Sequence, residues 1–369
     1  MKENYLEALK WYGKAADMGN AEAKYKLGKI LLEEGKRYLL ESCVQGNIAA
    51  SEFIKEKQIG ISYEDCIVFS SPEPFSISAR KTWNGTIEYS LDKINWHNWG
   101  GKEIKSYIIY MRGCGNTVIT GRYYSGRYWE FETKDKLICR GNIEALLDYK
   151  LCSRGEHPPM GKECYKSMFK GCTSLSEAPA LPARELAKDC YTSMFEGCTS
   201  LKKAPALPAT KLAEFCYYSM FKGCTSLSEA PALPARELAL ECYCAMFWGC
   251  TSLKEAPALP ATELVYGCYN LMFSGCTSLE KAPALPATEL ADWCYKSMFK
   301  GCTSLVEAPA LPAKKLAECC YCRMFEGCTS LSEAPALPAM ELAMLCYYGM
   351  FEGCISLKDR SNLPKSCFE

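Results

Sequence analysis

The sequence predicts a multi-domain α+β protein: short N-terminal α-hairpins, a small antiparallel β-sandwich-like domain, and a solenoid of 26-residue units. Three observations carry that prediction. Apolar residues recur at helical spacing over residues 3–35. From residue 61 that period gives way to short β-rich runs separated by turn residues. From Cys164 onward a Cys-Tyr pair returns every 26 residues without insertion or deletion, at Cys190, Cys216, Cys242, Cys268, Cys294, Cys320 and Cys346. A fixed period of that length marks units that bury their faces only against their neighbours. The resulting division is 1–60 helical, 61–141 β, 142–163 a connecting helix with a degraded first turn, and 164–369 the solenoid with eight copies.

Composition narrows the function classes. The 369 residues carry 43 basic and 43 acidic side chains, so no global field favours nucleic acid or an anionic membrane. No apolar run approaches the roughly 18 residues of a membrane span, and membrane insertion is not expected. The opening MKENYLEALKWYGKAADMGN has no apolar signal core. It also starts inside what reads as a repeat, which leaves localisation open.

In residues 1–60, Leu6, Ala8, Trp11, Tyr12, Ala15 and Ala16, then Ala23, Tyr25, Leu27, Ile30 and Leu31, lie at helical spacing. Gly19-Asn20 punctuates a helix–turn–helix between them. The segment WYGKAADMGNAEAKYKLG, echoed by YLLESCVQGNIAASEFIK, resembles the SEL-like repeat, a branch of the tetratricopeptide family. That resemblance implies an adaptor role, and under two copies read as the tail of a scaffold.

Candidate strands in the second region are 66–70, 75–80, 86–90, 95–99, 106–112, 128–132 and 136–139, with turns at Ser71-Pro72, Asn84-Gly85, Gly100-Gly101, 113–116 and Ser125-Gly126. Short strands at this spacing suggest a small antiparallel sandwich. A short helix is expected over 142–150. The segment EYSLDKINWHNW resembles the Asp-box hairpin of carbohydrate-handling proteins, with Ile94 where that motif has glycine. Trp83, Trp96, Trp99, Tyr123, Tyr124, Tyr128 and Trp129 make this the most aromatic region. Such rings stack on sugars or fill a core, and the core is the expected use.

The repeat has two arguable parts. In RELAKDCYTSMFEGC, Leu186, Cys190, Met194 and Cys198 fall four apart, as do Ala187, Tyr191 and Phe195. One buried helical face needs that stripe, with Gly197 as its stop, although a short strand and one helical turn fit the same spacing. In TSLSEAPALPA the chain is extended, with a short strand expected over 174–177. Pro179 and Pro182, which cannot donate to a ladder, then stiffen a corner. The series MFxGCTSL–xx–APALP resembles bacterial leucine-rich repeats of the BspA type, also called the Treponema type, with Met-Phe in place of Ala-Phe and a proline-rich strand. The resemblance implies a leucine-rich-repeat solenoid used in adhesion or protein binding, often at the cell surface. In the last copy Arg360, Ser361 and Asn362 replace Ala-Pro-Ala, as a terminal cap requires.

No catalytic or cofactor-binding residue is assigned. His97 and His157 are the two histidines, and neither has a nucleophile or carboxylate at recognisable spacing. No phosphate-binding glycine loop is present. Twenty-five cysteines raise the question of metal, but zinc wants clustered pairs and the repeat cysteines lie eight residues apart. Cys242/Cys244 and Cys319/Cys320/Cys322 are clusters confined to single copies. Two core columns are expected: Cys164, Cys190, Cys216, Cys242, Cys268, Cys294, Cys320 and Cys346, and Cys172, Cys198, Cys224, Cys250, Cys276, Cys302, Cys328 and Cys354. Coils stacked about 4.8 Å apart bring neighbours within disulfide reach, yet parallel Cβ directions favour buried thiols.

Slots that do not repeat are the ligand-binding candidates. Phe215, Tyr218, Trp248, Tyr266 and Trp293 put large apolar groups where other copies carry Lys, Glu or Ser. Charged slots at Glu177, Lys202, Lys203, Glu229, Glu255, Lys281, Glu307 and Glu333 track the strand face as further contact positions. The sequence therefore reads as a non-enzymatic protein that binds a protein or surface ligand through its solenoid. Carbohydrate binding by the β domain, or scaffold docking through the helical repeats, are the alternatives.

Overall fold

The computed structural model describes Lys14, residues 65–121 and residues 129–369. The chain divides into two units, Met1–Ser62 and Tyr63–Glu369. The helical hairpins expected over 1–60, like Tyr123, Tyr124 and Tyr128, lie outside the described residues.

Within the second unit seven strands form one sheet: β1 (Ile67–Ala79), β2 (Thr86–Ser90), β3 (His97–Asn98), β4 (Ile104–Cys114), β5 (Trp129–Glu132), β6 (Leu137–Gly141) and β7 (Leu175–Glu177). The order is β3-β2-β4-β1-β6-β7, with β5 paired to the second half of β1. Where two strands flanking Ser71-Pro72 were expected, one long β1 runs through. Both of its halves pair with β4, and the register shifts between Ser70 and Phe75. Pro72 and Pro74 lie in that gap and cannot donate to the ladder.

A single sheet thus stands in place of the expected sandwich, and the reason is what covers its apolar face. Phe69 and Phe131 meet Phe169 of the first coil, with ring centroids 6.2 and 5.4 Å apart. Ile67, Phe75, Ile77, Ile109 and Met111 are buried in the same core as the coils. No second sheet is needed to remove that face from water. Cys66, Val68 and Tyr110 form a separate small cluster, packed against Trp96 and Ile108. The backbone is continuous as well: β6 pairs in parallel with β7, itself part of the repeat, through Leu137 and Leu175.

Helix α1 (Ala145–Cys152) follows β6. Its start is tied to the sheet by Asn116, whose amide donates to the carbonyls of Thr86 and Leu146 at 2.7 and 2.9 Å. The same side chain accepts from the Gly85 N–H at 2.6 Å, so a buried amide is fully used. Gly113 allows the approach, since a Cβ there would sit 1.8 Å from the Leu146 carbonyl oxygen.

The expected helical stripe in the repeat is a ribbon of tight turns instead. In the coil that starts at Cys190, alternate N–H groups donate three residues back: Thr192 to Asp189, Met194 to Tyr191, Glu196 to Ser193 and Cys198 to Phe195. The intervening N–H groups of Tyr191, Ser193, Phe195 and Gly197 donate to the next coil, to the carbonyls of Cys216, Tyr218, Met220 and Lys222 at 2.7–3.0 Å. Positive φ recurs every four residues, at Asp189 (58°), Ser193 (53°) and Gly197 (75°), and at the equivalent positions of the other coils. That is the left-handed third position a type II turn requires. A four-residue turn repeat puts Cys190, Met194 and Cys198 on one side just as a helix would, and all three are buried.

Side chains inside the ribbon stack on their own copies. The Phe column from Phe169 to Phe351 has centroids 5.4–5.8 Å apart, and the Tyr column from Tyr165 to Tyr347 has them 5.7–6.1 Å apart. The extended side of each coil is a strand only at β7. Later coils reduce it to single parallel bridges, such as Lys203 with Glu229 and Lys281 with Glu307, because the Ala-Pro-Ala-Leu-Pro run beyond cannot donate at proline. At the end, a 3-10 turn (Lys365–Phe368) supplies acceptors a further coil would offer: Gly349 and Phe351 donate to Ser366 and Cys367 at 2.8 Å. Arg360, Ser361 and Asn362 are exposed there, but so are Ile355 of the same copy and Met340, Leu342, Met344 and Leu345 just before it.

Candidate interaction face

Each coil presents two outward slots on the turn ribbon, just before and two after its Cys-Tyr start. The turn between them brings their side chains together. In four of the coils Lys166 pairs with Glu163 at 3.4 Å, Thr192 with Asp189 at 3.4 Å, Phe215 with Tyr218 edge-on at 6.1 Å, and Lys296 sits 3.5 Å from the centroid of Trp293. The five candidate aromatics therefore fall into local groups rather than one file. Phe215 and Tyr218 form one group, half-buried, with Lys188 5.6 Å from the Phe215 centroid. Tyr266 is 41% exposed and stacks on Trp293 of the next coil, with centroids 6.0 Å apart. Trp248 is 38% exposed and lies in another outward slot, with Lys222 4.2 Å from its ring. Lysine over a ring keeps both in place at the surface without removing the apolar face from a partner.

The opposite, extended side carries charge in two columns. Glu177, Lys202, Lys203, Glu229, Glu255, Lys281, Glu307 and Glu333 are all exposed. A second column, Glu185, Lys211, Glu237, Glu263, Glu289, Lys315 and Glu341, was not singled out in the sequence. Its signal was the same 26-residue recurrence, eight residues downstream. Opposite charges on neighbouring coils pair at 3.3 Å (Lys203–Glu229), 3.1 Å (Lys211–Glu185) and 3.5 Å (Lys315–Glu341), all well exposed and worth little individually.

The cysteine columns lie inside. The sixteen repeat cysteines are at most 7% exposed, and the described cysteines are thiols. Second-column thiols donate to a carbonyl of the preceding coil, as Cys224 does to Phe195 at 3.0 Å and Cys250 to Phe221 at 3.1 Å. Burial pushes Cys224, Cys242, Cys268 and Cys276 up to about 12. Among the described residues no three His, Cys, Asp or Glu side chains are grouped to hold a metal ion, and no helix is long and apolar enough to cross a membrane.

The aromatic residues of the sheet region are spent on packing. Trp83 and Trp99 stack at 5.2 Å, Trp99 meets Trp129 at 4.9 Å, and the Trp99 indole N–H donates to the Lys102 carbonyl at 2.7 Å. Trp96 has the Arg112 guanidinium 3.9 Å from its ring, and Arg112 also pairs with Glu88 at 2.7 Å. In the Asp-box-like segment, Asp92 closes the turn by accepting from the N–H groups of Ile94 and Asn95. Burial opposes its ionisation, but those bonds, the Asn95 amide and the Ser90 hydroxyl outweigh it and hold Asp92 at about 2. His157, which sequence spacing left without a carboxylate, meets the buried Glu144 at 2.7 Å. Burial raises the Glu144 carboxyl against the hydrogen bond and charge of His157.

No family model matches the chain, and no curated protein does. Among solved structures, a leucine-rich repeat protein from Bacteroides ovatus ATCC 8483 is similar at 24% identity and a TM-score of 0.29, over 55% of this chain and 60% of that one, so that the chain spans less than two thirds of its length.

Proposed function

We propose that the stacked coils bind a protein or surface-displayed ligand through the turn-ribbon face, as the BspA-type signature of the repeat implies, in an adhesion or recognition role. The single observation that carries this reading is the Tyr266–Trp293 stack, a large aromatic pair at the surface in slots where other coils carry charge, as at Asp189, Glu214, Asp292 and Glu318, or single apolar groups, as at Phe215, Leu240, Met344 and Leu345. Exposed aromatics on a rigid scaffold are where binding energy concentrates. The carbohydrate reading loses support, because Trp83, Trp99 and Trp129 are buried in the core and leave Trp96, half-exposed with Arg112 over its ring, as the tryptophan of that region open to a ligand among the described residues. The scaffold reading rests on residues outside those described.

The test is binding of the full chain to an array of extracellular proteins and glycans, repeated with Phe215, Tyr266 and Trp293 all changed to Ser. Losses of about 1–2 kcal/mol at each aromatic anchor predict a drop of at least a hundredfold in affinity for a protein partner. Binding unchanged by the triple substitution would sink the reading. So would binding to glycans alone that is lost with Trp96→Ala.

A further inference from the structure

One coil fills both outward slots with cysteine. Cys319 and Cys322 occupy the positions that hold Trp293 and Lys296 one coil earlier, and the same turn joins them, Cys322 N–H donating to the Cys319 carbonyl at 3.2 Å. In several coils this turn brings its two outward side chains together. A salt bridge forms at Lys166–Glu163, an edge-on ring pair at Phe215–Tyr218 and a cation–ring contact at Lys296–Trp293. With two cysteines the same turn places both thiols side by side on the outer face of the ribbon. The ends of such a turn lie less than about 7 Å apart at Cα, which overlaps the roughly 4.4–6.8 Å a disulfide accepts. Cys320, between them, points into the core and is fully buried, while Cys319 and Cys322 each keep 5% exposure. Lys296 lowers both thiols electrostatically, and Arg323 lowers Cys322.

We propose that Cys319 and Cys322 are a modification site, a paired dithiol that reacts with low-molecular-weight disulfides and closes to an intrachain disulfide while the core-column cysteines remain thiols. In the first step one thiolate attacks a sulfur of the small disulfide, breaking its S–S bond and releasing one thiolate that takes up a proton. In the second the neighbouring cysteine thiolate displaces the other half as a second thiol. The protein loses two protons and two electrons, and the small disulfide takes them up to become two thiols. Thirteen of the sixteen column cysteines have no exposed surface and Cys354 has 1%; Cys346 and Cys172, at 5% and 7%, are as exposed as the outer pair, but no turn joins either to a second cysteine that could displace the adduct. Burial raises both outer thiols, and Glu318 and Asp292 add to that at Cys319, against the lowering by Lys296 and Arg323. The exchange therefore speeds up as pH rises. The site abuts the Tyr266–Trp293 pair, because Trp293 donates its N–H to the Glu318 carbonyl at 2.9 Å, but the proposal does not rest on that pair binding anything.

The experiment treats the folded full chain with oxidised glutathione at pH 8, quenches with acid, alkylates before and after denaturation, and reads the tryptic peptide 316–323 by fragmentation mass spectrometry. The expected result is a peptide lighter by two hydrogens, bonded between Cys319 and Cys322, alkylated only at Cys320 and only after denaturation, and restored by dithiothreitol. Cys322→Ser is expected to leave a glutathione adduct on Cys319 instead. Three free thiols in that peptide after treatment would overturn the proposal, as would a bond that includes Cys320, or equal oxidation of the column cysteines.

Discussion

At the scale of one residue, the second-column cysteines show how a weak donor can sit in a core for reasons of shape. The Cys250 thiol donates to the Phe221 carbonyl, but that oxygen already accepts the Cys224 N–H at 3.0 Å. Losing the thiol therefore orphans nothing, and packing decides. Cys250→Ala removes one buried sulfur and leaves a small cavity, an expected loss of about 1–2 kcal/mol. Cys250→Ser keeps a hydroxyl on a shorter bond, which leaves it poorly satisfied among Phe and Tyr rings, an expected loss of about 2–3 kcal/mol. Urea unfolding of the two variants checks the order, and a serine variant more stable than the alanine one would mean the carbonyl bond dominates. Burial of these cysteines was legible from the period, because a residue repeated once per coil faces the same way in every coil. The acceptor was not legible, since it lies 29 residues away on another coil.

At the scale of one element, a period of four in apolar residues fits a helix and a ribbon of four-residue turns equally well, and it is the positive φ at every fourth residue and the alternate N–H groups bonded to the next coil that mark the ribbon. The third turn of each coil carries glycine in all eight copies, whereas the first two tolerate Asp, Glu, Ser, Leu and Trp at positive φ. That recurrent glycine was read as a helix stop when it is one of three left-handed corners. At Gly223 (φ 71°) an added Cβ would meet the Gly197 Cα at 3.8 Å, an ordinary contact, so the cost of Gly223→Ala is the left-handed conformation alone. Thermal unfolding should show a loss of about 1–2 kcal/mol. Gly100→Ala, where a Cβ meets nothing within 4 Å and φ is not left-handed, is expected to be neutral or slightly stabilising. Equal effects at the two sites would discredit the turn ribbon as the source of strain.

At the scale of the whole molecule, the sheet and the coils of residues 65–369 share one core, running from Ile67 to Cys367. Which strand meets which coil was not legible, because pairing such as Leu137 with Leu175 joins regions of different composition and leaves no local pattern. One consequence is collective. Thiols in an unfolded chain ionise near 9, whereas burial pushes Cys224, Cys242, Cys268, Cys276 and Cys320 up to about 12 in the fold. Between those values the folded chain keeps protons that the unfolded chain releases. Stability is therefore fully present below pH 9 and falls as pH rises towards 12. At ~1.4 kcal/mol per pH unit for each group, five groups give a slope of roughly 7 kcal/mol per unit, enough to consume an ordinary stability of about 5–15 kcal/mol within one or two units. Circular dichroism against pH should show a steep, cooperative alkaline transition beginning above pH 9, with Tyr and Cys ionising in the same step. A fold intact at pH 11.5, or a gradual loss coil by coil, would mean that the columns do not titrate as one core.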